Sequence, residues 1–165
     1  MSAKHRIGRR IGLLAVLGLA LGLPACGPQP PRYGEVATQV PPVGADRARL
    51  FIYRDYELYE SMGRPYLYLN GERIGISEPG GVLFRDVVPG TYLISVDSVG
   101  VYPNQFKTVA MNAGETHYAK ITSLRSWVSG GGFTSEYEAD TFVVVLVDAE
   151  QGRREVPSMW FFGGP

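Results

Sequence analysis

The sequence predicts an all-β fold, a single Ig-like or prealbumin-like sandwich of about seven short strands. Three observations predict it. Short apolar runs rich in Val, Ile, Tyr and Phe recur along the chain. Turn signals separate them at intervals of roughly eight to twelve residues. No segment before Ala149 keeps a helical period of about 3.6 residues over three turns.

The elements follow in order from Ala48. Leu50-Phe51-Ile52-Tyr53 is a continuous apolar run, which suits a strand buried on both faces. Asp55 to Arg64 has no clean period and reads as a loop carrying Tyr56, Tyr59 and Met62. Tyr66 to Leu69 resumes strand character and meets Asn70-Gly71, the pair that favours a type I′ turn because both positions need φ > 0. Arg73 to Ile76 is the return strand. Glu78-Pro79-Gly80-Gly81 breaks the chain, and Val82-Leu83-Phe84 follows as another short strand. Val88-Pro89-Gly90-Thr91 is a tight turn, and Tyr92 to Val96 alternates like a strand with one wet face. Phe106 to Met111 and His117 to Leu124 are expected to pair across Asn112-Ala113-Gly114-Glu115. Ser129 to Ser135 is a Gly- and Ser-rich connection, and Thr141 to Val147 is the most hydrophobic strand.

The 165-residue chain opens differently. Lys4, Arg6, Arg9 and Arg10 form a basic front, Ile11 to Leu23 an apolar run, and Leu23-Pro24-Ala25-Cys26 closes it. That order is the layout of an export signal. A helix over the run falls well short of the ~30 Å hydrocarbon core, so it is a poor membrane span. The ending resembles a bacterial lipobox, with Leu23, Ala25 and Cys26 at the expected offsets and Pro24 departing from it. Cys26 is the chain's single cysteine; the resemblance makes it a lipidated N-terminus of the mature protein. The alternatives are a plain signal peptide or a buried structural cysteine. Gly27, rather than an aspartate, follows and is similar to signals sent on to an outer membrane. Arg9-Arg10 pair as in a twin-arginine signal, but Gly8 and Gly12 fit that motif badly.

Removing residues 1–25 leaves 140 residues, one domain of ordinary size. The chain holds 16 basic and 16 acidic residues, and the four basic residues lost with the signal leave a formal net charge of −4. A basic footprint for nucleic acid is therefore missing. With Cys26 used as an anchor no disulfide forms, and the core alone holds the fold. Residues 26–45 carry five prolines, which fix φ and remove donors. They read as an extended tether that would hold a domain over 46–165 up to ~60 Å from a bilayer, the alternative being that some of it packs along an edge strand.

The stretch Ala48 to Leu124 resembles a family of small bacterial lipoprotein domains of unknown function, the DUF2846-like group. The matching pieces are Arg49 to Arg54, Tyr66 to Gly71, Val88 to Tyr92, and Ala113 to Tyr118. Phe84 to Val96 is also similar to PEGA and carboxypeptidase-regulatory-like modules, small sandwiches that bind or brace. The resemblance implies a fold and an envelope setting, and it brings no catalytic residue.

Chemistry is sparse. His117 is the sole histidine once His5 is removed with the signal, so a hydrolytic triad or His-rich metal site has little to draw on. No Gly-x-Ser-x-Gly elbow is present, and Ser129-Gly130-Gly131-Gly132 lacks the Lys-Ser/Thr that a phosphate loop needs. Glu136, Glu138 and Asp140 would share one strand face and could offer oxygens to calcium, or simply form a solvated strand that discourages edge pairing. Asp148 and Glu150 add acids beyond the next strand. Tyrosine supplies contact area with a hydroxyl handle, which makes Tyr56, Tyr59 and Arg64 one candidate partner-binding patch. Trp160, Phe161 and Phe162 form another: an exposed tail would be an unusual apolar surface, a final edge strand would be buried. The expectation is a non-enzymatic, lipid-anchored binding or accessory module without cofactor, facing the periplasm from the outer membrane and meeting another envelope protein. An assembly brace, and less so a metal-dependent hydrolase, are the alternatives.

Overall fold

The computed structural model describes residues 29–57, 62–99, 104–124 and 140–164. They form a β-sandwich of nine strands: β1 (Ala48–Tyr53), β2 (Tyr66–Leu69), β3 (Glu72–Ile76), β4 (Gly81–Val87), β5 (Gly90–Val96), β6 (Phe106–Met111), β7 (Thr116–Ser123), β8 (Phe142–Val147) and β9 (Trp160–Phe161). One sheet runs β8-β7-β1-β4-β9 and the other β3-β2-β5-β6.

Alternation along the strands sorts the core. Leu50 and Ile52 of β1, Leu83 of β4, Ala119 and Ile121 of β7, and Phe142 and Val144 of β8 face the second sheet, where Leu67, Leu69, Ile94, Val96, Val109 and Met111 meet them. The odd residues of β1 point the other way. Phe51 and Tyr53 join Phe84 and Tyr118 in a second apolar layer on the outer face of the five-stranded sheet. All six residues of β1 are buried, as the continuous apolar run requires. The four-stranded sheet keeps a wet outer face, with Tyr66 and Leu93 each 40% exposed.

The outer layer needs a cover, and the segments before β1 and after β8 supply it. Helix α1 (Tyr33–Val36) and the 3-10 turn Ala37–Gln39 lie on one side, and α2 (Ala149–Glu155) on the other. The Tyr33 ring meets Phe51 edge-on at 5.1 Å and Phe161 at 5.5 Å. Its amide donates to Met159 O at 2.8 Å, and Phe161 N donates to Pro31 O at 2.8 Å. Residues 31–41, expected in a free tether, are thus a strap packed onto the domain. Prolines flank this segment, but Tyr33, Val36 and Val40 are the apolar face that docks.

The Asn70-Gly71 hairpin is as expected, with φ of 52° and 82°. The expected β6–β7 hairpin is not. β6 pairs with β5, whereas β7 pairs in parallel with β1 and antiparallel with β8. Gly114 N donates to Arg47 O at 2.7 Å and Arg49 N to Glu115 O at 2.9 Å, so the turn at 112–115 carries the chain from one sheet to the other. The strand direction also sorts the connections. The long ones, 54–65, 97–105 and 124–141, leave from one end of the sandwich. Tight turns at 70–71, 88–89 and 112–115 close the opposite end.

Candidate functional site

At the long-loop end the chain leaves β1 at Arg54, whose side chain is fully buried. Its guanidinium lies 4.7 Å from the Phe142 ring centroid and Nη1 donates to Gly63 O at 2.8 Å, which pins the two stems of the 54–65 loop together. Tyr56 and Met62 then stand out from the loop, 58% and 64% exposed. Across from them, the Glu78-to-Gly81 turn is held tight because Gly80 takes φ of +69°. A Cβ there would lie 3.2 Å from Tyr56 Cβ and 3.5 Å from Trp160 Cδ1, and one at Gly81 would press the Phe162 ring at 2.9 Å. These two glycines let β9 approach β4. Trp160 N donates to Gly80 O at 2.8 Å and Phe162 N to Val82 O at 2.9 Å.

The result is a groove of about 420 Å³ walled by Tyr56, Met62 and Arg64 on one side and Trp160 and Phe162 on the other. Glu78 and Pro79 also line it, as do Gln29 and Pro30 where the strap begins. Arg64 is ion-paired with Glu78. The Arg32 guanidinium sits 4.4 Å from the Trp160 ring centroid. The groove is therefore aromatic and apolar, with one ion pair and one further cation on its rim.

Two sequence candidates a hundred residues apart thus meet. Tyr56, Arg64, Trp160 and Phe162 share the groove. Phe161 does not, because neighbouring residues on a strand face opposite ways. It stacks on Phe84 with centroids 5.9 Å apart in the outer layer. Tyr59 and Cys26 lie outside the described residues. The C-terminal segment is a short edge strand, with Met159 buried and Phe162 44% exposed. Met62, Glu78 and Pro79 were not singled out by sequence; each sits in a segment without periodicity, and only the fold brings them together.

A family model described as a protein of unknown function, DUF2846, matches residues 44–133. This chain belongs to the DUF2846 family. No curated protein matches it. The DUF2846 match begins just before β1 and takes in β1 to β7. Tyr56, Met62, Arg64, Glu78 and Pro79 therefore lie within the DUF2846 region, while Gln29, Pro30, Trp160 and Phe162 come from the flanking segments that complete the sandwich.

The histidine and several of the acids named from the sequence have structural partners. His117 Nε2 lies 2.9 Å from Glu115 Oε2 at the start of β7. Asp148 N-caps α2 by accepting from Gln151 N at 2.7 Å, and Glu150 pairs with Arg154. Lys120 pairs with Asp55 and Glu155, and Tyr53 donates to the same Glu155 oxygen at 2.6 Å. Burial lowers the Lys120 pKa, but its bonds to Asp55 and Glu155 outweigh that and raise it. Burial likewise raises that of Glu155, and its bonds from Tyr53, Lys120 and Gln151 turn the balance downward. Among the described residues no three His, Cys, Asp or Glu side chains converge as metal ligands. Glu136 and Glu138 lie outside them, and Asp140 O accepts from Val99 N at 3.2 Å.

Proposed function

We propose that this protein is a lipid-anchored, non-enzymatic binding module of the bacterial cell envelope, held by acylated Cys26 at the periplasmic side of the outer membrane. It recognises an apolar surface through the groove at its long-loop end. The observation that carries this reading is the convergence of Tyr56, Met62, Trp160 and Phe162 on one groove from two distant parts of the chain. Exposed apolar and aromatic side chains gathered in a concavity are a recognition surface rather than a cost without return. Anchoring confines the module to the membrane surface and raises its effective concentration there. The brace alternative draws on an exposed aromatic tail: Phe162 is exposed and Trp160 half-buried, whereas Met159 and Phe161 pack against the outer layer.

Two experiments test the proposal. Metabolic labelling with palmitate should mark wild-type protein and leave Cys26→Ser unmarked; equal labelling, or none in either, would sink the anchor. Phe162→Asp paired with Tyr56→Ser should abolish function in cells while the purified domain melts as wild type does. Undiminished function in that pair would move the recognition surface elsewhere.

A further inference from the structure

We infer that the occupant of the groove-bearing end is the lipid bilayer itself: Tyr56, Met62, Trp160 and Phe162 form a face that beds into the membrane interface. The inference rests on the acylated Cys26 proposed above and names the apolar surface recognised there.

Its first support is where the chain emerges. Gln29 and Pro30 line the groove, and Cys26 stands three residues before Gln29. Three residues span at most ~11 Å, even fully extended. There is no slack downstream. Pro31 O accepts from Phe161 N at 2.8 Å, Tyr33 N donates to Met159 O at 2.8 Å, and Arg32 stacks on Trp160. The strap thus removes the long stand-off that a proline-rich tether would give. Acyl chains on Cys26 would then be attached within ~11 Å of Gln29 and would hold this end of the sandwich against the bilayer.

The second support is composition. Tyr56, Met62 and Phe162 are exposed around a half-buried Trp160. Aromatic rings with a polar edge are the side chains that settle at the membrane–water interface. Arg64 and Glu78 neutralise each other on the rim, and the exposed Arg32 on Trp160 adds one cation, so the contact is mainly apolar with a small preference for anionic headgroups. The opposite end, with its tight turns at 70–71, 88–89 and 112–115, then points away from the membrane. The acyl chains hold the protein at the bilayer, and such a face adds a fixed orientation to that attachment.

The test uses the full lipidated protein in phosphatidylethanolamine–phosphatidylglycerol vesicles whose acyl chains are brominated near the headgroup. In a Trp127→Phe variant, Trp160 is the sole tryptophan, and its emission should shift to the blue and lose most of its intensity. A tryptophan placed at the far end by Val88→Trp, with Trp127 and Trp160 both replaced by Phe, should lose none. An environment-sensitive dye on Tyr56→Cys repeats the measurement without touching tryptophan, since Cys26 is the only native thiol and is acylated. Raising salt, or omitting phosphatidylglycerol, should weaken the quenching only slightly. If mass spectrometry shows acylated Cys26 but neither Trp160 nor the Tyr56→Cys dye senses lipid, the membrane face is wrong and the anchored module stands. Photo-crosslinking from position 162 to a protein in native envelopes, without lipid quenching, overturns the face in favour of a protein partner. An unacylated Cys26 removes both the anchor and the inference built on it.

Discussion

Arg49 and Asp86 stand opposite each other on β1 and β4 and share two hydrogen bonds of 2.7 Å, from Nε and Nη2 to the two carboxylate oxygens. The same Nη2 donates to Pro41 O at 2.9 Å, and the guanidinium lies 4.2 Å from the Phe84 ring centroid. One buried cation therefore ties two strands to the end of the strap. Lysine carries the charge without the planar fork, so Arg49→Lys should lose about 1–3 kcal/mol. Arg49→Ala should lose more, because Asp86 is left without its partner. Urea unfolding monitored by circular dichroism measures both, and an unchanged midpoint in either variant would refute the tie.

Tyr33 is the residue that makes the strap part of the fold. Its half-buried ring sits edge-on to Phe51 and Phe161. Removing it takes away a large apolar contact and uncovers the Phe51 and Phe161 rings, so Tyr33→Ala should cost about 2–4 kcal/mol. Trypsin should then cut after Arg32 far faster than in wild type. A free tether would show no change in either measurement.

What could be read from the sequence was local. Asn70-Gly71 dictates its own turn, and Leu50 to Tyr53 declares burial on both faces, because neither signal depends on distant residues. The turn at Asn112–Glu115 has the same local chemistry whether it closes a hairpin or crosses between sheets. The choice is made by Arg47 and Arg49, whose backbone receives it. The strap was hidden for a related reason. Its prolines speak for an extended chain, and only the apolar layer of Phe51 and Phe84 on the sheet's outer face gives Tyr33 something to cover. In the groove, aromatic content marked Tyr56 and Trp160, whereas their meeting depends on Gly80 and Gly81 in a turn that reads only as a break.

Gly152 in α2 sets two effects against each other. Alanine is the better helix former by about 1 kcal/mol. A Cβ at Gly152, however, would fall 2.2 Å from Tyr118 Cγ. That ring is buried and stacked on Phe51 with centroids 5.4 Å apart, so it has little room to move. Overpacking costs about 1–3 kcal/mol, and the clash should win. Gly152→Ala is expected to lower the melting temperature although isolated-helix propensity predicts a rise. A raised melting temperature would mean that α2 slides freely on the sheet.

Glu115 gives the fold an acid-sensitive component. The Asn112 backbone amide donates to its carboxylate at 2.7 Å, the Asn112 side chain donates at 3.0 Å, and His117 lies 2.9 Å away. These bonds, the Asn112 amide first, lower its pKa from the ordinary 4.5 to about 2. A group whose folded pKa is depressed contributes stability above its unfolded value and loses it as pH falls towards the folded one. The Glu115 contribution is therefore complete above about 4.5 and fades between there and about 2. Because this turn carries the chain from β6 into β7, losing the bonds loosens the crossover between sheets. Glu155, also depressed, fades with falling pH too, so the wild-type acid limb alone does not identify Glu115. Glu115→Gln does: its stability should fall less steeply through that window, by about one proton of linkage, and the two proteins should differ least at the acid end. Equal slopes in wild type and Glu115→Gln would show that the carboxylate bonds at the turn do not hold it.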